Sequence, residues 1–105
     1  MSIRCEIANN PNCPFHILEK LANDNRYGSE NIRYVMAGNP NCPSDILKII
    51  YNKNESAIVI LKIIKHKNCS LDILKEVYKT YKNDSQKFII EAVLNHPNWK
   101  LSDFE

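Results

Sequence analysis

The sequence predicts an all-α chain built as a stack of short helix pairs, in about three and a half repeats of 27 to 30 residues spanning one domain, residues 1–105. Three observations carry that expectation. The stretch "AGNPNCPSDIL" at residues 37–47 has a near copy, "ANNPNCPFHIL", at residues 8–18, and looser copies begin at Ile64 ("IKHKNCSLDIL") and Leu94 ("LNHPNWKLSDF"). The turn asparagines Asn12, Asn41, Asn68 and Asn98 follow one another at intervals of 29, 27 and 30 residues. Only two glycines and five prolines occur, and the apolar residues fall in groups with helical rather than alternating spacing.

The elements follow in order. In the first unit Ile3, Ile7 and Ala8 precede the turn, and Ile17, Leu18 and Leu21 recur after it at three and four residues, the spacing of one helix face. The second unit begins "SENIRYVMAG", with Ser29 placed to cap a helix start and Gly38 suited to a left-handed helix end. Beyond its turn Ile46, Leu47, Ile49 and Ile50 mark the next helix. Ser56 and Ser85 are placed to open the third and fourth units as Ser29 opens the second. Pro14 and Pro43 stand where a first helical residue tolerates proline, because that N–H has no partner inside the helix. Asp45 and Asp72 fall in first turns, where the positive end of the helix dipole favours them.

Aligned on the asparagines, the units form columns: Ile3, Ile32, Val59, Ile89; Ile7, Met36, Ile63, Val93; Ala8, Ala37, Ile64, Leu94. After the turn come Leu18, Leu47, Leu74, Phe104 and then Leu21, Ile50, Val77. No single unit covers such columns, so stacking must. The asparagines read as structural, bonding nearby backbone to hold a non-helical turn. Cys13, Cys42 and Cys69 share one slot of the turn while Cys5 lies elsewhere. Stacked helices lie roughly 8–10 Å apart and a disulfide needs Cα atoms within about 7 Å, so the cysteines are expected to be reduced, small buried groups.

The segments "NIRYVMAGNPNCPSDIL" and "SIRCEIANNPNCPFHILEKLAND" resemble the leucine-rich repeat variant family, whose pattern runs roughly VRxxVAxNPxxPxxxLxxLAxD. The resemblance covers nearly the whole chain and is strongest across residues 3–50; later, Lys67 and Ser70 stand for the prolines and Ile60 and Ile90 for the arginines, Arg4 and Arg33. It implies a right-handed solenoid of alternating α and 3₁₀ helices. It implies no single activity, and no segment matches the iron-sulfur portion some members carry.

The chemistry is sparse. No Gly-rich phosphate loop, HExxH or CxxC occurs, which predicts a non-enzymatic protein without metal or cofactor. His66 and His96 share a column with Asn10 and Asn39 and read as turn residues, too far apart for one zinc ion. The carboxylates are explained by helix starts and solvated faces. The longest apolar cluster, "SAIVILKII", is far shorter than the roughly 20 residues a membrane span needs, and the N-terminus has no secretory core, so a cytoplasmic protein is expected.

Charge is more informative. Residues 48–87 hold nine lysines against four acids within a chain of net charge +2. Lys48, Lys62, Lys65, Lys75 and Lys79, with Tyr51 and Tyr78 in a shared column, are the candidate partner-binding residues. Most of these lysines also fit solvated helix faces, and Tyr27, Tyr34, Tyr51, Tyr78 and Tyr81 fit packing between units. The expected function is a scaffold for an unidentified protein partner; the alternative is a nucleic-acid module using lysines 48–87 on phosphate backbones. Trp99 replaces the turn cysteine in the last unit and is expected to cover the end of the array, leaving a monomer or weak self-association.

Overall fold

Every copy of the turn closes with the same bonds, and the helices are laid out by it. A computed structural model of the chain describes residues 3–26, 28–53 and 56–99. These form seven α-helices and no strand: α1 (Ile3–Asn9), α2 (Phe15–Asn23), α3 (Ser29–Ala37), α4 (Ser44–Tyr51), α5 (Ala57–Lys65), α6 (Leu71–Tyr81) and α7 (Lys87–Leu94). Both halves of each unit are α-helical, so the 3₁₀ alternation is not seen among the described residues. The odd-numbered helices pack in a row, α1 on α3, α3 on α5 and α5 on α7, while α2 packs on α4 and α6 against α7. No helix among the described residues is long and apolar enough to cross a membrane.

The columns meet in one core. Ile32, Met36, Leu47, Ile50, Ile63, Leu74, Val77, Ile89 and Val93 are all fully buried. Each such side chain removed from water contributes roughly 1.5–3 kcal/mol, which is why helices of seven to eleven residues, too short to persist alone, are held. The columns fail only at the ends: Ile3 is 74% exposed and Leu94 46%, although Ile32 and Ile64 in the same columns are buried. A stacked column is covered by its neighbours on both sides, so an end member keeps one open face. Phe104 lies outside the described residues.

Two ladders of side chains tie successive turns together. The N–H of Asn12, Asn41, Asn68 and Asn98 donates to the side chain two residues earlier: Asn10 Oδ1 (2.8 Å), Asn39 Oδ1 (3.0 Å), His66 Nδ1 (3.0 Å) and His96 Nδ1 (3.0 Å). The same side chains reach the preceding turn. Asn39 Nδ2 donates to Ala8 O and Asn10 O, His66 Nε2 to Asn39 O at 2.6 Å and His96 Nε2 to His66 O at 2.7 Å. The repeated asparagine itself does different work from that expected: its side chain bonds the neighbouring turn, Asn41 to Pro11 O, Asn68 to Cys42 O and Asn98 to Cys69 O. Local turn-holding belongs to the Asn10, Asn39, His66, His96 column, where an amide oxygen and a bare ring nitrogen serve equally as acceptor. Turn three therefore keeps the geometry of the first two with Lys67 and Ser70 in place of their prolines, and turn four, which retains Pro97, closes with the same bonds.

Helix ends bring further corrections. Pro14 and Pro43 are N-caps, not first helical residues: their ψ values of 150° and 160° are extended, and their carbonyls accept from Ile17 and Leu18, and from Ile46 and Leu47. Ser70, in the same slot, adds a cap that proline lacks, its Oγ accepting from Ile73 N. Gly38 has φ −94°, a right-handed value, so it does not end α3 in the left-handed form. The left-handed glycine is Gly28, φ 87°, which caps the start of α3 and makes Ser29 the first helical residue. Ser56 does cap α5, without a side-chain bond, whereas Gln86 rather than Ser85 caps α7.

Arg4 and Arg33 both turn to Asp24 at the end of α2. Arg4 Nη1 bonds the carboxylate at 2.7 Å and Arg33 Nη1 the main-chain oxygen at 2.8 Å. The side-chain bonds of Arg26 and its backbone N–H hold the Asp24 carboxyl well below the usual carboxylate range, aided by the charge of Arg4. A depressed carboxyl contributes stability that is complete above its unfolded pKa and is lost as pH falls through the folded one. Acid titration of Asp24→Asn should therefore show a shallower loss of stability below about pH 4 than the parent does; identical acid limbs would exclude the clamp. In the next unit the pair is absent together: Ile60 stands for the arginine and is buried, and Lys53 stands for the aspartate.

Candidate interaction surface

The sequence-predicted site residues do not form one patch. Lys48 and Tyr51 lie on α4, Lys75, Tyr78 and Lys79 on α6, and Lys62 and Lys65 on α5. Lys48 Nζ is 2.8 Å from Glu76 Oε2 and 5.8 Å from the Tyr51 ring centroid, so its charge is already matched within the chain. Tyr51 and Tyr78 are half-buried against the core, which makes them packing residues first. Tyr78 lies 5.2 Å from Trp99, ring centroid to centroid, and Trp99 itself packs on the core, partly buried. Burial raises the Tyr81 hydroxyl's pKa, helped by nearby Tyr51 and Asp84. Tyr27 lies outside the described residues.

The row of odd helices presents a different surface. Lys62 Nζ lies 5.1 Å over the ring of Tyr34, a cation–π contact from α5 back to α3. Lys62 and Lys65 line an open groove of about 370 Å³ between the end of α3 and α5, whose walls are Ala37, Gly38, Ile58 and Leu61 with His66 at one end. A Cβ on Gly38 would make only ordinary contacts, 3.5 Å from Val35 O and 3.6 Å from Lys62 Nζ, so neither closeness nor backbone angle requires glycine there. One step along, a groove of about 390 Å³ lies between α5 and α7, lined by Ile64, Lys65, Ala92, Asn95, His96 and Pro97. The two are the same site in successive units, with Ala92 and Asn95 standing for Lys62 and Lys65. Ile58 (60% exposed), Phe88 (47%) and Tyr34 (37%) complete the surface.

Periodicity alone hides Ile58. In "SAIVILKII" apolar residues stand on every side of the helix, and only packing separates the buried Val59, Ile60, Ile63 and Ile64 from the exposed Ile58. The signal that was available is the column itself, since Ile58 and Phe88 share it and Asn31 precedes them there.

Two of the histidines and two of the cysteines are occupied structurally. His66 and His96 have both ring nitrogens on backbone groups. Cys42 and Cys69 are free thiols, fully buried, and burial pushes both up to about 12. Because the thiolate is the reactive form, iodoacetamide at about pH 8 should modify neither in the folded protein and both after denaturation, as read by mass spectrometry. Rapid labelling of Cys42 in the native state would contradict its place in the core.

Comparison with protein-family models, with curated proteins and with solved structures returns no match.

Proposed function

We propose that the chain is a right-handed α-solenoid of the leucine-rich repeat variant kind and that it works as a cytoplasmic, non-enzymatic scaffold binding a protein through its odd-numbered helices. The elongated outline, 44 × 25 × 17 Å, and the packing of helices two apart in sequence support the solenoid. The observation that carries the function is the exposed set Tyr34, Ile58 and Phe88 on three successive helices of one row, beside Lys62 and Lys65. Exposed apolar residues scattered singly are ordinary, whereas a run of them along one surface marks an interaction site, and these three stand on successive helices of one row. Aromatic and aliphatic anchors with a charged rim are the usual composition of a protein interface.

The alternative, phosphate backbone bound by lysines 48–87, draws on the lysine excess, but Lys48 is matched by Glu76 and the segment has no arginine fork. One pair of measurements separates them. Affinity capture from extract should retain a discrete protein that survives about 200 mM salt and is lost with Ile58→Asp, while labelled oligonucleotides show no anisotropy change at about 50 mM salt. Oligonucleotide binding that falls steeply between those salt concentrations, with no salt-tolerant protein complex, would replace the first reading by the second.

A further inference from the structure

The groove between α3 and α5 has a definite chemical character, and its neighbour has a different one. Lys62 is held over Tyr34, and neither Lys62 nor Lys65 has a carboxylate within ion-pairing distance among the described residues. Two ammonium groups therefore stand at the rim of a cleft whose walls, Ala37, Ile58 and Leu61, are apolar. The equivalent cleft one unit on replaces the cations by Ala92 and Asn95 and keeps only Lys65 at its edge, with the exposed Phe88 on the same helix. A molecule lying along the row thus meets two cations at one step and, at the next, a less basic surface of Ile64, Ala92, Asn95 and Pro97 with Lys65 alone at its edge. Neighbouring packed helices lie roughly 8–10 Å apart, and an extended chain advances about 3.3 Å per residue, so one step corresponds to about three residues.

From this we infer that the row receives an extended acidic segment of a partner protein, with a glutamate or aspartate seated between Lys62 and Lys65 and an apolar side chain about three residues away over the α5–α7 step. This rests on the protein-binding reading above and specifies its ligand. The occupant is chosen by charge complementarity: a basic segment is repelled at Lys62 and Lys65, and a purely polyanionic one leaves Ile58 and Phe88 uncovered. The cation–π contact with Tyr34 keeps the Lys62 ammonium in place before the ligand arrives, which reduces the ordering cost of binding.

The test uses the full chain, labelled with ¹⁵N and methyl ¹³C, titrated with an acetylated eight-residue peptide carrying one glutamate and, three positions later, one leucine in a glycine and serine background. Shifts are expected at Gly38, Ile58, Leu61, Lys62 and Lys65. The combined Lys62→Gln and Lys65→Gln variant, substituted only at exposed positions, should bind about five- to tenfold more weakly while its spectrum keeps the parent's dispersion. Peptides with lysine for the glutamate or serine for the leucine should bind more weakly than the probe. Equal binding of the lysine peptide, shifts confined to α4 and α6, or no shifts at millimolar peptide would overturn the assignment. A partner that is captured through Ile58 while the peptide leaves α5 unmoved would sink the groove and leave the protein-binding reading standing; absence of both would remove both.

Discussion

The Leu47→Ala variant is expected to unfold about 2–5 kcal/mol more easily than the parent in urea, with an unchanged denaturant slope. Leu47 is fully buried between the fully buried Ile46 and Ile50 positions of α4, which packs on both α2 and α5. Its removal leaves a cavity that three elements must close at once, and domains of this size hold only about 5–15 kcal/mol in total. The companion variant is Ile3→Ala. By sequence column Ile3 is as apolar as Ile32, yet it is 74% exposed, so its loss should cost within about 0.5 kcal/mol. A negligible loss at Leu47, or equal losses at both, would mean that the columns are wrongly assigned.

The second large effect lies in the ladder of turns. His66→Ala removes the acceptor for the Asn68 N–H and the donor to Asn39 O in one step. Asn39 O still accepts from Cys42 N, but the Asn68 amide is left without its partner. An unmet, partly buried donor together with the lost volume of a buried ring should cost about 2–4 kcal/mol. His66→Asn should cost about half of that or less, because asparagine performs both tasks at position 39, donating to the earlier turn and accepting from the N–H two residues on. The ladder also specifies the ring. An amide N–H can only donate and a carbonyl can only accept, so His66 and His96 carry their proton on Nε2 and leave Nδ1 bare. Nitrogen NMR reads that tautomer directly, and protonated Nδ1 on either ring in the neutral protein would rule the ladder out.

Helix class, the repeat and its internal columns were all legible in the residues. Leu18, Leu47 and Leu74 recur at a fixed step, and burial follows that step because a periodic chain places equal side chains in equal surroundings. The turn was legible as a turn, but the division of labour within it was not. Asn41 and Asn39 are equally able to bond nearby backbone, and only the position of the preceding unit decides that Asn41 reaches across to Pro11 O while Asn39 both reaches across and holds its own loop. The substitution of histidine for asparagine at 66 and 96 is unremarkable in sequence and becomes sensible once both side chains are seen to offer one acceptor and one donor.

The candidate surface was the least legible part. Charge counting selected Lys48 and Lys62 together, since formal charge carries no information about what faces it; Glu76 lies beside the first and a tyrosine ring under the second. Tyr51 and Tyr78 resembled a recognition strip because they share a column, and the same column is where α4 and α6 bury their edges. Ile58 and Phe88 went unnoticed among apolar neighbours. The sequence by itself determined that these are short helices joined by recurring turns and which residues recur in register, because helical spacing and period are properties of one chain. Which face of α5 points to solvent, where α1 leaves its apolar residues open, and that Lys62 and Lys65 share one groove were decided only by the tertiary structure, because each depends on the atoms of a neighbouring unit.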